Sequence, residues 1–284
     1  DYSDADGKSA VTRKRIITVA DTIAPGITLQ GPSTLTHVLG EPYVDAGATA
    51  VDTVDGAVEV FDTFNFHSTG LIARWTFDEV LDGKVVDLVG GREGTLHGFD
   101  LATDHVDGIR GKALNFDGTN NRIDVLPFER NRKETSIGVW LKRRNGSFSS
   151  IFHTKAWTPG DLHFIVQNDI LFACNSMGQT AGGGGNDFRS IQQLTMNEWV
   201  HVASTYSVPD HLVQIYLDGQ LVRETSFTGN FNIRFKNGMH IGAGQNGNDR
   251  FFNGEMDDLV IYDRVLTPHQ VQAVMNGGQA IDVS

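Results

Sequence analysis

The chain has 284 residues, of which 39% are hydrophobic and 20% charged, and 35 Asp and Glu against 23 Lys and Arg give a net charge of −12. This length fits one large or two smaller domains, and no run approaches the ~18 consecutive apolar residues of a membrane span. The acidic balance excludes a surface that follows nucleic-acid phosphates or inserts into an anionic membrane, whereas it permits cation sites built from oxygen ligands.

The first 66 residues are predicted to form short β-strands. Strands are expected over 9–20, 27–29, 34–38, 43–50 and 57–60, with an Asp55-Gly56 turn before the last. The strings DADGKSAVTRKRIITV and DTIAPGITLQGPSTLTHVLGEPYVDAGATAVDTVDG resemble the closing strands and the opening half of bacterial immunoglobulin-like surface repeats. The resemblance implies a small immunoglobulin-like β segment over residues 1–66, either one permuted unit or two partial repeats.

From about Leu71 a long series of strands begins. Val213, Ile215 and Leu217 share one face by period two, and the Asp218-Gly219 dipeptide after them is a strong hairpin signal. The predicted strands are 72–79, 112–116, 122–125, 135–142, 148–153, 162–167, 170–174, 199–206, 212–217, 220–227, 239–241 and 254–262. About a dozen strands indicate an all-β domain.

One helix is predicted near the end of the chain. Thr267 is its N-cap, Pro268 occupies the first helical position, and Gln270 completes a capping box. Its apolar stripe and its end are given by Val271, Val274, Met275 and Gly277-Gly278.

The order of six strings in this region resembles the laminin-G-like, concanavalin-like jelly-roll domains. They are GIRGKALNFDGTNNRIDV, ETSIGVWLKRR, NEWVHVASTYS, VQIYLDGQLV, HIGAG and FNGEMDDLVIYDRVLTPHQVQAVMNGG. The resemblance covers about residues 71–279 and implies an antiparallel sandwich over 71–284 with a structural calcium site. It further implies a carbohydrate-binding or protein-binding appendage of a larger secreted or surface bacterial protein.

Asp257 is the first candidate calcium ligand. Alternation along residues 255–262 puts it on the face of Leu259 and Ile261, where an unpaired buried carboxylate is costly and an oxygen-bound cation offsets that cost. The resemblance implies that the Asp at this position binds calcium and that Asp78 lies on a nearby strand. The alternative is that Asp257 only caps a loop. The weaker ligand candidates are Glu79 and Asp117.

Catalysis is not expected. Glycoside hydrolases of the concanavalin-like fold carry Glu-x-Asp-x-x-Glu on a strand, and here Glu255 and Asp257 match the first two acids while Val260 replaces the third. The ten histidines show no short metal-binding spacing, so zinc is not expected either.

A glycan site requires an exposed aromatic ring and planar polar side chains. The Trp residues at 75, 140 and 199 lie inside predicted strands and are expected in the core, whereas Trp157 lies in a turn-rich loop. Two interpretations of Trp157 are equally supported: the ring covers the core as a lid, or it serves as a platform for a sugar ring. The side chains expected to join it are His163, Arg189, Asn246, Asn248, Arg250 and Phe251.

The sequence therefore predicts a non-catalytic, extracellular or cell-surface bacterial module that binds a polysaccharide or glycan. A structural or adhesive module that contacts protein is the alternative, and a glycoside hydrolase or polysaccharide lyase is the third. Neutral or sparsely charged glycans fit the acidic chain best. Nucleic acid and membrane insertion are not expected.

Overall fold

The computed structural model describes residues 26–30, 48–52, 56–58, 69–145, 148–156, 158–175 and 186–277. The chain divides into two compact units, Asp1–Asp62 and Thr63–Ser284. The described residues of the first unit form one antiparallel sheet of three strands in chain order, namely β1 (Gly26–Leu29), β2 (Ala48–Asp52) and β3 (Gly56–Val58). These strands overlap three of the predicted ones. The strands predicted over 9–20 and 34–38 lie outside the described residues, and the immunoglobulin-like assignment stays a prediction.

Within the described residues, the second unit is an antiparallel β-sandwich of jelly-roll type with two eight-stranded sheets, termed sheet A and sheet B. Sheet A contains β4 (Leu71–Trp75), β7 (His105–Asp107), β8 (Lys112–Asp117), β11 (Glu134–Arg143), β16 (Trp199–Ser207), β17 (Leu212–Leu217), β18 (Gln220–Ser226) and β21 (Asn253–Tyr262). Sheet B contains β5 (Lys84–Val86), β6 (Glu93–His97), β9 (Arg122–Val125), β12 (Ser149–Thr154), β13 (Leu162–Gln167), β14 (Ile170–Asn175), β15 (Asn186–Gln193) and β20 (Met239–Ile241). A separate pair joins β10 (Phe128–Arg132) to β19 (Ile233–Phe235).

The order of the strands fixes which side chains meet. Sheet A runs β18-β17-β16-β11-β21-β8-β7, with β4 also paired to β21, and sheet B runs β15-β14-β13-β12-β20-β9-β6-β5. The predicted strands between residues 112 and 262 are all present to within one residue. The strands that the sequence did not indicate are β5, β6, β7, β10, β15 and β19, which are short or rich in polar residues.

One hydrophobic core lies between the two sheets. Val139 of sheet A and Phe164 of sheet B are 0% and 1% exposed, and Trp75 is also fully buried. The predicted inward face of β17 is confirmed, because alternate residues of this strand belong to the core. Each large apolar side chain buried here contributes about 1.5–3 kcal/mol to the free energy of unfolding.

The turn between β17 and β18 confirms the hairpin signal. Asp218 and Gly219 have φ angles of 45° and 73°, so both central residues are left-handed, as in the hairpin turn that Asp-Gly favours.

The structure has a short helix α1 (Leu101–Asp104), which the sequence did not indicate, and the predicted helix, α2 (Pro268–Met275). The capping box of α2 is confirmed, with Thr267 and Gln270 bonded to each other's backbone N–H groups. Neither helix in the described part of the chain is long and apolar enough to cross a membrane.

Strand β21 carries a β-bulge opposite β11. The register of the two strands shifts between Gly138 and Trp140, and Asp258, on the bulged strand, has a left-handed φ of 51°. Such an extra residue reverses the alternation of side chains along the rest of the strand.

The bulge corrects the predicted orientation of Asp257. Met256 packs into the core before the bulge and Leu259 and Ile261 pack into it afterwards. Asp257 therefore projects from the outer face of sheet A, and the prediction that it shares the face of Leu259 and Ile261 is wrong.

Candidate ligand-binding face and metal site

Asp257 is buried on the outer face of sheet A under the loop of residues 108–111. Its Oδ2 accepts the N–H of Arg110 at 3.0 Å, while its Oδ1 has no hydrogen-bond partner in the described part of the chain. The residue is 0% exposed, and burial raises the pKa of its carboxyl to about 7. Backbone hydrogen bonds from Arg110 and Ile109 offset only part of the cost of an ionised carboxylate here, and a bound cation would offset more of it.

Asp78 binds the same loop from the other side. Its Oδ1 accepts the N–H of Lys112 at 2.8 Å, and a Cβ at Gly111 would lie 1.9 Å from that oxygen. A Cβ at Gly108 would lie 2.5 Å from Oδ2 of Asp257. The two glycines therefore allow one loop to contact both carboxylates, and the negative charge of Asp78 also raises the pKa of Asp257.

The two weaker metal candidates are not brought to Asp257. Asp117 accepts the N–H groups of three turn residues at 2.7–3.1 Å, and these bonds lower the pKa of its carboxyl although burial opposes them. It pairs with Asn253, four residues from Asp257 along β21 or about 13 Å. Its structure is that of a turn cap. Glu79 is exposed beside Asp78.

Asp258 forms an ion-pair network that the sequence did not indicate. Its carboxylate accepts two bonds from Arg74, at 2.7 and 3.0 Å, and one from Arg110 at 2.8 Å. The bulge provides this arrangement, because it sends two consecutive Asp side chains to the same region. The two guanidinium groups pair with Asp258, whereas Asp257 has no ion pair among the described residues.

Two aromatic rings lie on the same outer face near α2. Trp140 donates from Nε1 to the carbonyl of Met275 at 3.3 Å, and its ring lies 5.3 Å from that of His201. Burial, followed by the charge of Arg110, lowers the pKa of His201 to about 3, so this imidazole is neutral at pH 7. Trp140 and Trp199 are half-buried here, so the prediction that they pack in the core is wrong, whereas it is confirmed for Trp75.

The carboxylate pattern of concanavalin-like hydrolases is incomplete on this face. Glu255 is held by Lys142 at 3.3 Å and faces Arg144 at 3.9 Å. Val260 stands at the position of the third acid and follows the bulge. A retaining glycosidase needs two carboxyl groups about 5–5.5 Å apart. The third acid of the pattern, which acts with the first, is therefore missing from this strand.

The outer face of sheet B carries a line of histidines across three neighbouring strands, termed here the histidine row: His163, His153 and His240. The strand register pairs His153 with His163 on one side and with His240 on the other, and His240 pairs with Asp124 of β9. Their sequence neighbours belong to the core, so the row faces away from it.

Burial keeps the histidine row uncharged at pH 7. It lowers the pKa of His153 to about 3 and that of His163 to about 2, and it also lowers the pKa of His240. The positive charge of Arg250 acts in the same direction on the first two. The row therefore places buried polar rings without fixed charge on the outer side of sheet B.

Asp124 lies at the end of the row, where its carboxylate is close to two imidazole rings, one guanidinium group and one ammonium group. Its carboxylate lies 3.2 Å from the Nε2 atoms of both His97 and His240, 3.2 Å from Nε of Arg122 and 4.0 Å from Nζ of Lys155. Within the described residues, no three His, Cys, Asp or Glu side chains are arranged to hold a metal ion. The histidines of the row are themselves covered, since His153, His163 and His240 are 0%, 8% and 6% exposed.

A loop over residues 242–251 covers one end of the histidine row. His240 binds the carbonyl of Gly244 through Nδ1 at 2.9 Å, and a Cβ at Gly247 would lie 2.9 Å from the ring. This close approach fixes the loop on the sheet, while Asn246 and Asn248 remain exposed on it.

Arg250 ends this loop with its guanidinium carbon 4.5 Å from the ring centre of Phe148. Phe148 is 38% exposed and Arg250 is half-buried, as is Phe251. The pair forms a planar, partly apolar surface beside the histidine row. Phe148 was not among the predicted glycan residues, because the sequence analysis placed it at the start of the predicted strand 148–153.

Several of the predicted glycan residues lie on the outer side of sheet B. His163, Arg250 and the two loop asparagines belong to the histidine row or to the loop that covers it. Arg189 of β15 is exposed, and its neighbour Phe188 packs into the core, so Arg189 projects from the same outer face. Trp157 lies outside the described residues.

Comparison with known proteins identifies the family. The profile of the concanavalin A-like lectin/glucanases superfamily matches residues 117–272, more than half of the chain, and the chain belongs to this superfamily. No protein of curated function has a matching sequence.

Three solved structures illustrate the fold. Domain 4 of AbnA, a GH43 extracellular arabinanase from Geobacillus stearothermophilus in complex with arabinotriose, is 21% identical with a TM-score of 0.57, covering 72% of this chain and 98% of that one. The ligand-binding domain of botulinum neurotoxin serotype D with N-acetylneuraminic acid is 14% identical with a TM-score of 0.58, covering 75% and 52%. Botulinum neurotoxin type C, whose cell entry depends on two ganglioside molecules, is 13% identical with a TM-score of 0.58, covering 77% and 53%. The chain thus spans about half of each neurotoxin chain.

Proposed function

We propose that the second unit is a non-catalytic carbohydrate-binding module whose ligand lies on the outer face of sheet B. The observation that carries this proposal is the stack of the half-buried Arg250 on Phe148, which is 38% exposed, beside the histidine row. Sugar C–H groups pack on such planar surfaces, and the exposed amides of Asn246 and Asn248 supply hydrogen bonds to hydroxyl groups. Because Gly247 fixes the loop, these groups are ordered before the ligand arrives, which lowers the cost of binding.

The similar structures support the same class of ligand. Arabinotriose, N-acetylneuraminic acid and gangliosides are bound by proteins of this fold. We propose that residues 71–284 form the binding domain and residues 1–66 an immunoglobulin-like segment. Both would belong to a larger secreted or surface protein of a bacterium.

A polysaccharide-binding screen by affinity electrophoresis tests the proposal. Arg250→Ala should weaken binding of the retained polysaccharide at least about tenfold, since it removes the planar surface and leaves Phe148 without its partner. Asn246→Ala and Asn248→Ala should weaken binding to a smaller extent. Trp157→Ala belongs in the same panel, because a sugar platform at this ring requires weaker binding of the variant.

The matched control is Arg223→Ala on β18, an exposed arginine of sheet A. It changes the net charge equally but should bind like the parent. Retention that is equal for Arg250→Ala and the parent, or no retention on any polysaccharide, would refute the proposed site.

We also propose a structural calcium ion beside Asp257 and Asp78. The residues fit an oxygen-binding cation, because Asp257 Oδ1 is buried without a partner and both carboxylates contact one loop. Backbone carbonyls would supply the other oxygen ligands. The screen should therefore be run with calcium and with EDTA, and calcium should raise the melting temperature of the protein.

Protein contact is the second candidate function. Leu81, Val86, Leu88 and Val89 are 45–74% exposed and lie close together in sequence at and beside β5, the edge strand of sheet B. Exposed apolar residues of this kind favour a protein partner. This alternative would be favoured if the parent binds no polysaccharide but binds a protein, and if Leu88→Asp abolishes the binding of that protein.

A further inference from the structure

A second concave site lies away from both the histidine row and Asp257. It is an open pocket of about 310 Å³ lined by Lys133, Val208, Pro209, His211 and Asn230. These residues come from the start of β11, the turn between β16 and β17, and the segment before β19. The volume is at the lower end of ligand-binding pockets and accommodates one sugar ring.

The backbone around this pocket is held by hydrogen bonds between its segments. The carbonyl of Lys133 accepts the N–H of Val208 at 2.8 Å, and the carbonyl of His211 accepts the N–H of Phe227 at 2.8 Å. The N–H of His211 also reaches the carbonyl of Val208 at 3.3 Å. The pocket is therefore formed before any ligand binds.

His211 has a left-handed backbone with a φ of 55°. Histidine adopts this conformation more readily than most residues, and His211 lies in the turn between β16 and β17. Here the conformation directs the exposed ring toward the pocket lining, where it packs edge-on against Phe227 with ring centres 5.7 Å apart.

The polar lining consists mainly of hydrogen-bond donors. Lys133 Nζ donates to Oδ1 of Asn230 and, at 2.9 Å, to the carbonyl of Phe231, which leaves one of its three protons for a ligand. Because Oδ1 of Asn230 is engaged by the ammonium group, its amide nitrogen is the part that can donate to a ligand. The nearby carboxylate of Asp210 accepts the hydroxyl of Ser207 at 2.6 Å and does not line the pocket.

The apolar side of the pocket completes the recognition chemistry. Pro209 and Val208 present carbon atoms, and Phe227 and Phe231 pack beneath with ring centres 5.8 Å apart. A sugar ring offers C–H groups to such a wall, and a carboxylate on that ring would accept from Lys133 and Asn230.

We infer that this pocket binds a single sugar unit that bears a carboxylate, the chemistry shared by hexuronates and sialic acids. It is a second binding site, independent of the proposed site on sheet B. It gives a chain of net charge −12 a local preference for an acidic sugar that its overall charge opposes.

Titration of the whole chain with free monosaccharides, followed by amide chemical shifts, tests the inference. Glucuronate and N-acetylneuraminate are the two carboxylated probes, and glucose and acetate are the matched probes that lack the carboxylate or the ring. At least one carboxylated sugar should bind about tenfold more tightly than glucose and acetate, and the comparison of the two shows which source is preferred.

Lys133→Met and Asn230→Asp should each weaken that binding about tenfold or more, the second because it replaces an amide donor by a negative charge. Lys236→Met, an exposed lysine outside the pocket, and Arg250→Ala on sheet B should bind the acidic sugar like the parent. The inference would be overturned if acetate or glucose bound as tightly as the carboxylated sugars. It would also be overturned if Lys133→Met and Asn230→Asp both bound the acidic sugar as tightly as the parent. Polysaccharide retention that is lost only with Arg250→Ala concerns the other site.

Discussion

At the scale of single residues, Asp257 has a side chain that a bound cation would stabilise. Its carboxyl is buried, one oxygen lacks a hydrogen bond, and burial raises its pKa to about 7. In EDTA at pH 8, Asp257→Asn should melt at the same temperature as the parent or above it, because the amide removes a buried charge. With calcium the parent should gain stability and the variant should not. Differential scanning calorimetry measures both.

Asp107→Asn is the matched control for this experiment, since Asp107 is exposed and pairs with Lys112 beside the same loop. It should keep the full response to calcium. If the parent melts at one temperature in calcium and in EDTA, the carboxylate has no cation and only caps the loop.

At the scale of elements, two substitutions of Asp258 distinguish the energetic contribution of its ion pairs from the cost of its left-handed backbone in the β-bulge of β21. Asp258→Gly removes the carboxylate from Arg74 and Arg110 and should lower the free energy of unfolding by about 2 kcal/mol, since both arginines are partly exposed. Asp258→Ala should cost ~1 kcal/mol more, because alanine keeps the β-carbon penalty of the left-handed backbone. Urea denaturation of both variants measures the difference. Equal stability would show that the bulge relaxes.

Most elements could be predicted because each depends on local pattern. Alternating apolar residues indicated the long strands, and the capping box of α2 and the Asp218-Gly219 hairpin are encoded by neighbouring residues. The bulge could not be predicted in this way. Asp tolerates a left-handed backbone better than most residues, but residues 255–262 do not show that Asp258 adopts it, and a shift of one residue moved Asp257 to the opposite face.

The candidate sites depend on how the strands pair, and the spacing of residues along the sequence does not predict that pairing. His153, His163 and His240 are separated by ten and seventy-seven residues, yet strand pairing makes them neighbours. The pocket at Lys133 and His211 arises in the same way from three loops. Pairing across sheet B determines which of the predicted glycan-site residues lie near one another, and their role in binding stays a prediction.

At the scale of the whole molecule, the buried histidines predict loss of stability in acid. The pKa values of His153, His163 and His201 fall from the ordinary 6.5 to about 3, 2 and 3. Between pH 6.5 and about 3 the unfolded chain therefore binds more protons than the folded one, and the free energy of unfolding falls as the pH falls. Asp257 acts in the opposite sense, because its folded pKa is raised. Three histidines less one aspartate leave a net difference of two protons well below pH 6.5, which corresponds to roughly 3 kcal/mol per pH unit.

Urea unfolding in EDTA at several pH values between 7.5 and 5 measures this slope directly. His201→Gln should reduce it by about one proton, or roughly 1.4 kcal/mol per pH unit, because glutamine cannot gain the proton that the unfolded histidine takes up. The matched control is His97→Gln, whose imidazole is 40% exposed. It makes the same substitution at a position that is not buried. A stability that stays constant from pH 7.5 to 5 would show that water or protons reach the histidines in the folded protein.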